Sequence, residues 1–583
     1  MQVFLDIETT GDSRFVNNIS IFGFYVPQYN YCVVLNNQKC SLLDYNNPDS
    51  VDYSKFYESI KQELLKLPKD TQFITCNGKF STLFLYHKTG FTINPSEDVM
   101  LEQYVLHTDS RKSLSYIVKQ ELNEDFIDLT SKQKSILSEE SLEYFKKKLV
   151  YIYRCHNSLR KKISENPKFE RLYTKLVLPS YKAYKEIEKN GIYFNETKYH
   201  QVYKEYQNKL DSLESDLKSI RNINWGSSKQ LSDFLYNELC FPIVEKTEKG
   251  TPSTDSGALK KLVDKGYSLA EKILEYRFYK QAVNTFLKPW GEQIHNHRIY
   301  PTFNIDSVRT GRTSSCNPNL QQVPKDINLR SLFTAPKGYN FYEIDHSQLE
   351  LRVASHIMNE PSMIQAYLND EDLHTKTAKS IVGHEPDKQE RAMAKPVNFG
   401  FLYGMSAKTF PEYAFKNYGQ HYTLEQGEQF RNAFFNTYPK LLDYYKIQEN
   451  ECIENGGAWS LFGRFRYLPD LYSTNWSLKH SALKQAINTP TQSTGSDILV
   501  SGMIEIINTF NPNEVKVVGT VHDSILLEIR ADDKEQERYK EVISILENPK
   551  LLKVFDIKLK VPLKVDGASC GNEETNTGWG AGH

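Results

Sequence analysis

The sequence has no long apolar run, no CxxC pair, no internal repeat, no low-complexity linker and no excess of charge of either sign. Each absence narrows the field. A membrane-spanning helix needs about twenty mostly apolar residues, so neither a membrane span nor a membrane partner is expected. The first apolar strand, Val3–Ile7, begins almost at the initiator Met, and no secretory signal is expected ahead of it. The 8 cysteines are scattered, without Cys/His clusters at metal spacing, which points to reduced thiols in a cytoplasmic protein and to no zinc site. A net charge of -1 gives no global sign of a polyanionic partner, although local clusters of Lys and Arg are what bind one. Lys146–Lys148 and Arg160–Lys162 are such clusters, and each reads first as a solvated helix face.

What the chain does have is length. At 583 residues it exceeds the size at which one hydrophobic core stops growing, and several domains are expected. With 39% hydrophobic and 25% charged residues its composition is that of an ordinary soluble protein. The abundance of Asn, Lys and Tyr suggests an AT-rich genome. VFLDIETTG reads as a buried strand and turn, IFGFYVPQYNYCVVL as a hairpin, FITCNGKF as a short strand and polar turn, and DVMLEQYVLH opens a helical region running to about Ile163. That mixture predicts a compact α/β domain. From Phe169 to Trp290 the pattern is helical, and YHQVYKEYQNKLDSLESDLKSI carries apolar residues at helical period, as in a long exposed helical hairpin. From Ile299 strands and helices mix again. The C-terminal NEETNTGWGAGH is expected to pack as an irregular tail.

Three segments carry chemistry. Tyr342–Leu351, YEIDHSQLEL, reads as a strand delivering Asp345, then a turn, then a helix bearing Glu350. Val515–Ile529, VKVVGTVHDSILLEI, reads as a β-hairpin with His522 and Asp523 at its tip. Alone, an Asp at a strand end is usually a turn residue. Two on neighbouring strands can hold two Mg²⁺ ions, the arrangement for in-line phosphoryl displacement. In EPDKQERAMAKPVNFGFLYG, Arg391, Lys395, Phe399 and Tyr403 recur every four residues, on one face of a helix. Two cations followed by two aromatics suit a nucleoside triphosphate bound end to end, although such a stripe alone also describes an ordinary amphipathic surface helix.

In that order DHSQLELR, the R-x3-K-x3-F-x3-YG helix and VHDS resemble the three polymerase motifs of family A DNA polymerases, the bacterial polymerase I type. SSKQLSDFLYNEL with TPSTDSGALKKL is similar to that family's thumb, VRTGRTSSCNPNLQQVP to its primer–template clamp, GRFRYLPD to its fingers-to-palm segment and QAINTPTQSTGSDI to its second palm helix. The resemblance implies that Asp345 and Asp523 bind two Mg²⁺, with Mn²⁺ as a substitute, and that Lys395 is the general acid for pyrophosphate. Arg391 and His374 would contact the triphosphate, while Phe399, Tyr403, Glu350 and Gln348 surround the nucleotide. Arg312, Asn488, Gln492 and His522 would read acceptors of the primer–template minor groove, which are common to every correct pair, with Lys484 also on the DNA. Four positions depart from the family pattern: His346 for Tyr, Ser524 for Glu, Lys484 for Arg, and Pro396 inside the helix, where it should bend it. Asp387 and Glu390 form the capping-box pattern that would start that helix.

At the other end, Asp6 and Glu8 resemble the first motif of DnaQ-like 3'–5' exonucleases, since carboxylates two apart on a strand point the same way and can share metal. The later motifs are damaged. Ser81 in NGKFS stands where N-x-x-(F/Y)-D has Asp, and in YRCHN, read as Y-x-x-x-D, Tyr153 is kept while Asn157 replaces Asp; the frame Tyr151 to Cys155 also lacks the acid. Impaired exonuclease activity follows, with Asp at 81 and 157 expected to restore it. The expected fold is multidomain α/β and α+β: an RNase H-like exonuclease domain (1–165), then a right-hand polymerase with thumb (166–298), palm (299–372 and 479–583) and fingers (373–478). The expected protein is a monomeric, phage-encoded replicative enzyme working on primer–template DNA and dNTPs in the host cytoplasm. Two alternatives are an RNA polymerase on the same palm, opposed by Phe399 and Glu350, and an inactive primer–template binder, opposed by the retained aspartates and Lys395.

Overall fold

Strand β1 (Gln2–Thr9) is buried from Val3 to Glu8, as expected of a central strand whose run VFLDI leaves no solvated face. The computed structural model describes residues 1–36, 53–128, 139–247 and 249–582. β1 pairs antiparallel with β2 (Ile19–Val26), which forms the expected hairpin with β3 (Tyr31–Asn36). On its other side β1 runs parallel to β4 (Gln72–Thr75), and β4 parallel to β5 (Glu97–Asp98), giving the order β3-β2-β1-β4-β5. The expected polar turn after β4 is brief, because helix α1 (Gly78–Thr89) starts three residues on. Helices α2 (Val99–Leu106) and α3 (Glu139–Ser164) pack on one another and α3 also on β1 and β2. In α3 the buried Phe145, Leu149, Ile152, His156, Leu159 and Ile163 recur at helical period, which aims that face at the sheet. Residues 129–138 of the expected helical region lie outside the described residues.

Helix α4 (Leu178–Asn190) leads into a short strand, Ile192–Phe194, and then α5 (Glu196–Ile220), about 37 Å long at 1.5 Å per residue. Asn195 caps α5 by accepting from the amide of Lys198 at 3.0 Å. Its buried residues Tyr199, Val202, Tyr206, Leu210, Leu213 and Leu217 form one stripe against α6 (Ser268–Gln281), while the charged face meets solvent. The long amphipathic helix is as the periodicity predicts, but its partner comes after intervening helical segments, so the pair is not the expected hairpin.

The second sheet is wholly antiparallel, in the order β7-β8-β6-β9: β6 is Tyr339–His346, β7 Val515–Val521, β8 Ser524–Arg530 and β9 Val565–Gly571. Between β6 and β7 in sequence lie α7 (Leu349–Ile357), α8 (Leu373–Val382), α9 (Lys388–Leu402) and α10 (Trp476–Thr509). A separate core under α7–α9 joins Leu351, Ala354 and Tyr367 to Phe401, Phe434 and Tyr438, so packing there crosses the expected boundary at 372. The tail is irregular but anchored: Trp579 is buried, its amide donates to Phe333 O at 2.8 Å, and Arg330 lies over its ring at 4.4 Å.

The N-terminal unit is bolted to the rest by polar contacts as well as by packing. Lys79 pairs with Glu188 and donates to Phe303 O, and Tyr104 donates to Val308 O at 2.6 Å. The guanidinium of Arg464 sits 5.6 Å from the Tyr104 ring centre and donates from Nε to both oxygens of the buried Asp497, at 2.8 and 2.9 Å. Leu101 and Val105 of α2 belong to the same continuous core as Tyr173, Leu176 and the β6–β8 strands. Among the described residues, no helix is long and apolar enough to cross a membrane, and the cysteines are free thiols.

Candidate active site

Asp345 lies near the end of β6, directly opposite Ser524 at the start of β8. The β7–β8 connection is a two-residue hairpin loop, His522–Asp523, whose tight reversal sets His522 in the left-handed region at φ 53°. The loop is held against β6, since the His346 amide donates to Asp523 O at 3.2 Å. Ser524 Oγ donates to Asp345 Oδ1 at 2.8 Å, so the residue expected only to remove an auxiliary charge also orients an aspartate. Burial and the neighbouring Asp345 push the Asp523 carboxyl up, and the Arg312 guanidinium, 3.9 Å from Oδ1, pulls it back.

Arg312 owes its position to Gly311. That residue sits at φ 81°, and a Cβ there would fall 2.6 Å from Arg464 Nε, so only glycine lets this turn close on the buried ion pair. Arg312 also donates to Glu350 Oε1, and Glu350 Oε2 accepts from Tyr403 Oη at 2.5 Å. Burial pushes the Glu350 carboxyl up, offset by these two partners. The three side chains bridge the turn before β6, α7 and the end of α9.

Helix α9 begins with the expected capping box of Asp387 and Glu390. It runs through Pro396 to Leu402, so the proline forfeits one hydrogen bond without ending the helix, and Tyr403 stands just past the last turn as the C-cap. Lys395, Phe399 and Tyr403 face one cleft of about 830 Å³, floored by Asp345 and Asp523 and also lined by Arg312, Gln348, Glu350 and His374. The opposite wall is α10, which presents Lys484, Asn488 and Gln492 at four-residue spacing. Asn488 Oδ1 is buried there without a hydrogen-bond partner.

Arg391 departs from the expected arrangement. It does not line this cleft; its Nε donates to Asp372 Oδ2. Burial pushes the Asp372 carboxyl up, but hydrogen bonds from Arg391, Thr375 and Gln348 outweigh it and hold it down at about 2. Burial drives the His374 imidazole down to about 4, against the pull of Asp372. Its Nδ1 lies 2.7 Å from Asn398 Nδ2, and Asn398 Oδ1 accepts from Thr377 at 2.7 Å, so Nδ1 is the acceptor and Nε2 carries the proton. The sequence reading missed Asp372, Asn398 and Thr377. Asp372 was findable as the N-cap preceding a helix; Asn398 had no local signal. His522, exposed at the hairpin tip, lines an adjoining pocket that shares Asp345.

A second cleft, about 720 Å³, lies in the N-terminal unit and is lined by Asp6, Glu8, Ser81, Lys112, Asp128 and Lys148 among others. Ser81 Oγ donates to Asp6 Oδ1 at 3.1 Å, so Ser81 is where the motif places it. Asn157 is not. It is exposed on α3, and nine residues at about 100° each turn it to the face opposite Lys148. The alternative, Cys155, is buried in the core beneath the helix. The residue facing the acids is Lys148, whose Nζ lies 2.6 Å from Asp6 Oδ2 and 2.7 Å from Glu8 Oε1. Of the run Lys146–Lys148, read as a solvated face, only the first two are exposed. A further acidic group, Glu97, Glu102 and His156, lies at the inner side of α3; His156 Nδ1 is 2.8 Å from Glu102 and Arg160 is 3.1 Å from Glu97, so its charges meet protein partners.

The whole chain adopts a polymerase-domain fold. It superposes on the POL domain of Pol1 from M. smegmatis, solved in complex with DNA primer–template and dNTP, with a TM-score of 0.81, covering 100% of this chain and 96% of that one at 21% identity. Residues 196–574 match the DNA polymerase family A model, and the chain belongs to that family. It is 30% identical to DNA polymerase I of Pseudomonas aeruginosa over 462 residues, 75% of this chain and 50% of that protein. Against DNA polymerase I of Caldicellulosiruptor bescii it is 31% identical over 493 residues, 81% of this chain and 54% of that protein. The chain thus spans about half the length of the curated relatives it matches.

Proposed function

We propose that the chain is a template-directed DNA polymerase that adds deoxynucleotides to a primer 3' end. The observation that carries this reading is the convergence of Asp345 and Asp523, more than 170 residues apart in sequence, on the floor of a cleft whose wall is Lys395, Phe399 and Tyr403. The residues fit a divalent metal pair: Asp345 raises the proton affinity of the adjacent Asp523 carboxyl, and hard oxygen donors of this kind suit Mg²⁺ or Mn²⁺. Bound there, such ions supply positive charge to the attacking and leaving oxygens of an in-line phosphoryl transfer.

The chain's own residues do the rest. Ser524 and the His346 amide fix the Asp345 carboxylate and the loop of Asp523 before substrate arrives. Lys395 meets the triphosphate and hands a proton to departing pyrophosphate, and His374 offers its Nε2 proton while remaining neutral. Arg391 reaches the phosphates by exchanging Asp372 for them. Phe399 packs beside the sugar, with Tyr403, Glu350 and Gln348 bounding the nucleotide. Arg312, Asn488, Gln492 and His522 take the minor-groove acceptors of the primer–template, with Lys484 on its backbone. On this reading residues 166–298 form the thumb, 299–372 and 479–583 the palm and 373–478 the fingers of a monomer, and residues 1–165 an impaired 3'–5' exonuclease domain. Primer extension with a labelled primer, Mg²⁺ and either dNTPs or NTPs tests the proposal. Extension with dNTPs supports it; preference for NTPs or no extension refutes it.

A further inference from the structure

The acidic pair of the N-terminal cleft already has its cation. We propose that the Lys148 ammonium has taken the place of divalent metal between Asp6 and Glu8, making this cleft a metal-free internal cross-link between α3 and β1 instead of a nuclease centre.

Three observations support this. First, the geometry is that of bonded ion pairs: one ammonium contacts an oxygen of each carboxylate, at 2.6 and 2.7 Å, and all three groups are nearly buried. Second, Lys148 is held there by its helix. Its neighbours Phe145 and Leu149 are wholly buried against the sheet, and Nζ lies 5.8 Å from the Phe145 ring centre. Tyr144 stands four residues earlier and donates to Asp128 at 3.0 Å, so Tyr144 and Lys148 satisfy the Y-x-x-x-D spacing with lysine in the acid's position. Third, the metal-motif positions carry too little negative charge. Asp6, Glu8, Lys148 and the neutral Ser81 sum to -1, apart from Asp12, Asp128 and Lys112 elsewhere in the cleft lining, where two divalent ions would call for about four negative ligands. A divalent ion would have to displace a cation fixed by its own backbone.

The inference deepens the reading of an impaired exonuclease and changes its repair: position 148, not 157, is where the fourth acid belongs. The test uses the full chain carrying Asp345→Asn and Asp523→Asn, so that Mn²⁺ at the polymerase site does not obscure the count. Electron paramagnetic resonance should find no Mn²⁺ bound in the N-terminal cleft of this parent, and about one ion after Lys148→Asp with Ser81→Asp. Lys148→Ala alone, which adds no acid and guards against a variant that fails to fold, should lower the melting temperature in EDTA by on the order of 5–10 °C, as expected when a buried pair loses one partner. Mn²⁺ should recover most of that loss. On a single-stranded oligonucleotide, with the polymerase aspartates intact, Ser81→Asp with Asn157→Asp should remain inactive and Ser81→Asp with Lys148→Asp should digest. Mn²⁺ bound in the parent's cleft, digestion by the unaltered chain, or an unchanged melting temperature for Lys148→Ala overturns the proposal. None of these outcomes depends on primer extension, so the polymerase reading stands or falls separately.

Discussion

Replacing Glu350 with alanine should relax the choice of sugar. In the structure this carboxylate accepts from Tyr403 Oη at 2.5 Å on one oxygen and from Arg312 on the other, closing the space between α7 and the end of α9. A ribonucleotide entering that space would press its 2'-hydroxyl on the Glu350–Tyr403 pair or leave a buried polar group unpaired. An unpaired group costs about 1–3 kcal/mol, roughly 5- to 150-fold in rate, and steric conflict adds to it. Glu350→Ala removes the obstruction and frees the Tyr403 hydroxyl to meet the incoming one. The ratio of kcat/KM for dNTP over NTP should therefore fall at least about tenfold. A second effect comes from Arg312, which loses Glu350 and retains Asp523 at 3.9 Å, the aspartate on the cleft floor. Closer pairing there should lower dNTP incorporation too, by up to about tenfold. Single-nucleotide incorporation with matched dNTP and NTP pairs measures both effects. An unchanged sugar ratio would refute the reasoning and reopen the RNA-polymerase alternative, whatever happened to the absolute rate.

Asp345→Asn and Asp523→Asn should each abolish extension, by more than tenfold, while primer–template affinity by titration stays near the parent's, since contacts to the DNA backbone dominate binding. Phe399→Tyr should raise acceptance of dideoxynucleotides, because a hydroxyl beside the sugar can replace the missing 3'-OH; dNTP/ddNTP ratios measured for both proteins would show it, with the ribonucleotide ratio unmoved. Burial holds His374, His346 and His156 down at about 4, so labelled imidazole resonances should stay flat from pH 8 to 5 and move only near 4. Each folded value lies below the unfolded one near 6.5, so each contribution to stability is complete above pH 6.5 and is lost as pH falls towards 4. A step in nucleotide KM near pH 6.5 that vanished in His374→Gln would contradict the neutral donor role.

Local pattern was legible wherever one element carried the information. The β6–α7 turn, the His522–Asp523 hairpin, the capping box of α9 and the stripe of α5 all follow from residues within a few positions of one another. What the chain order could not show was which distant groups meet. Arg391 looked like a free phosphate ligand because Asp372, its partner, sits on another helix. Lys148 looked like one member of a solvated run because helical phase, not neighbouring charge, decides that it alone of three lysines turns inward. Asn157 was misplaced for the converse reason: the motif spacing recurs along α3, and only the phase relative to Phe145 and Ile152 selects the frame that faces β1.

The contact of Tyr104 with Arg464 also bears on how this protein can be dissected. Tyr104 belongs to the first unit, yet its ring covers the guanidinium that pairs with Asp497 in α10, on the side of that helix turned away from Asn488. Excising residues 1–165 would strip that cover, uncover core once filled by Leu101 and Val105, and leave Glu188 without Lys79. A shortened chain beginning at residue 166 would thus inherit a wetted, loosened support behind α10. The N-terminal unit has a structural part to play that does not depend on its own cleft.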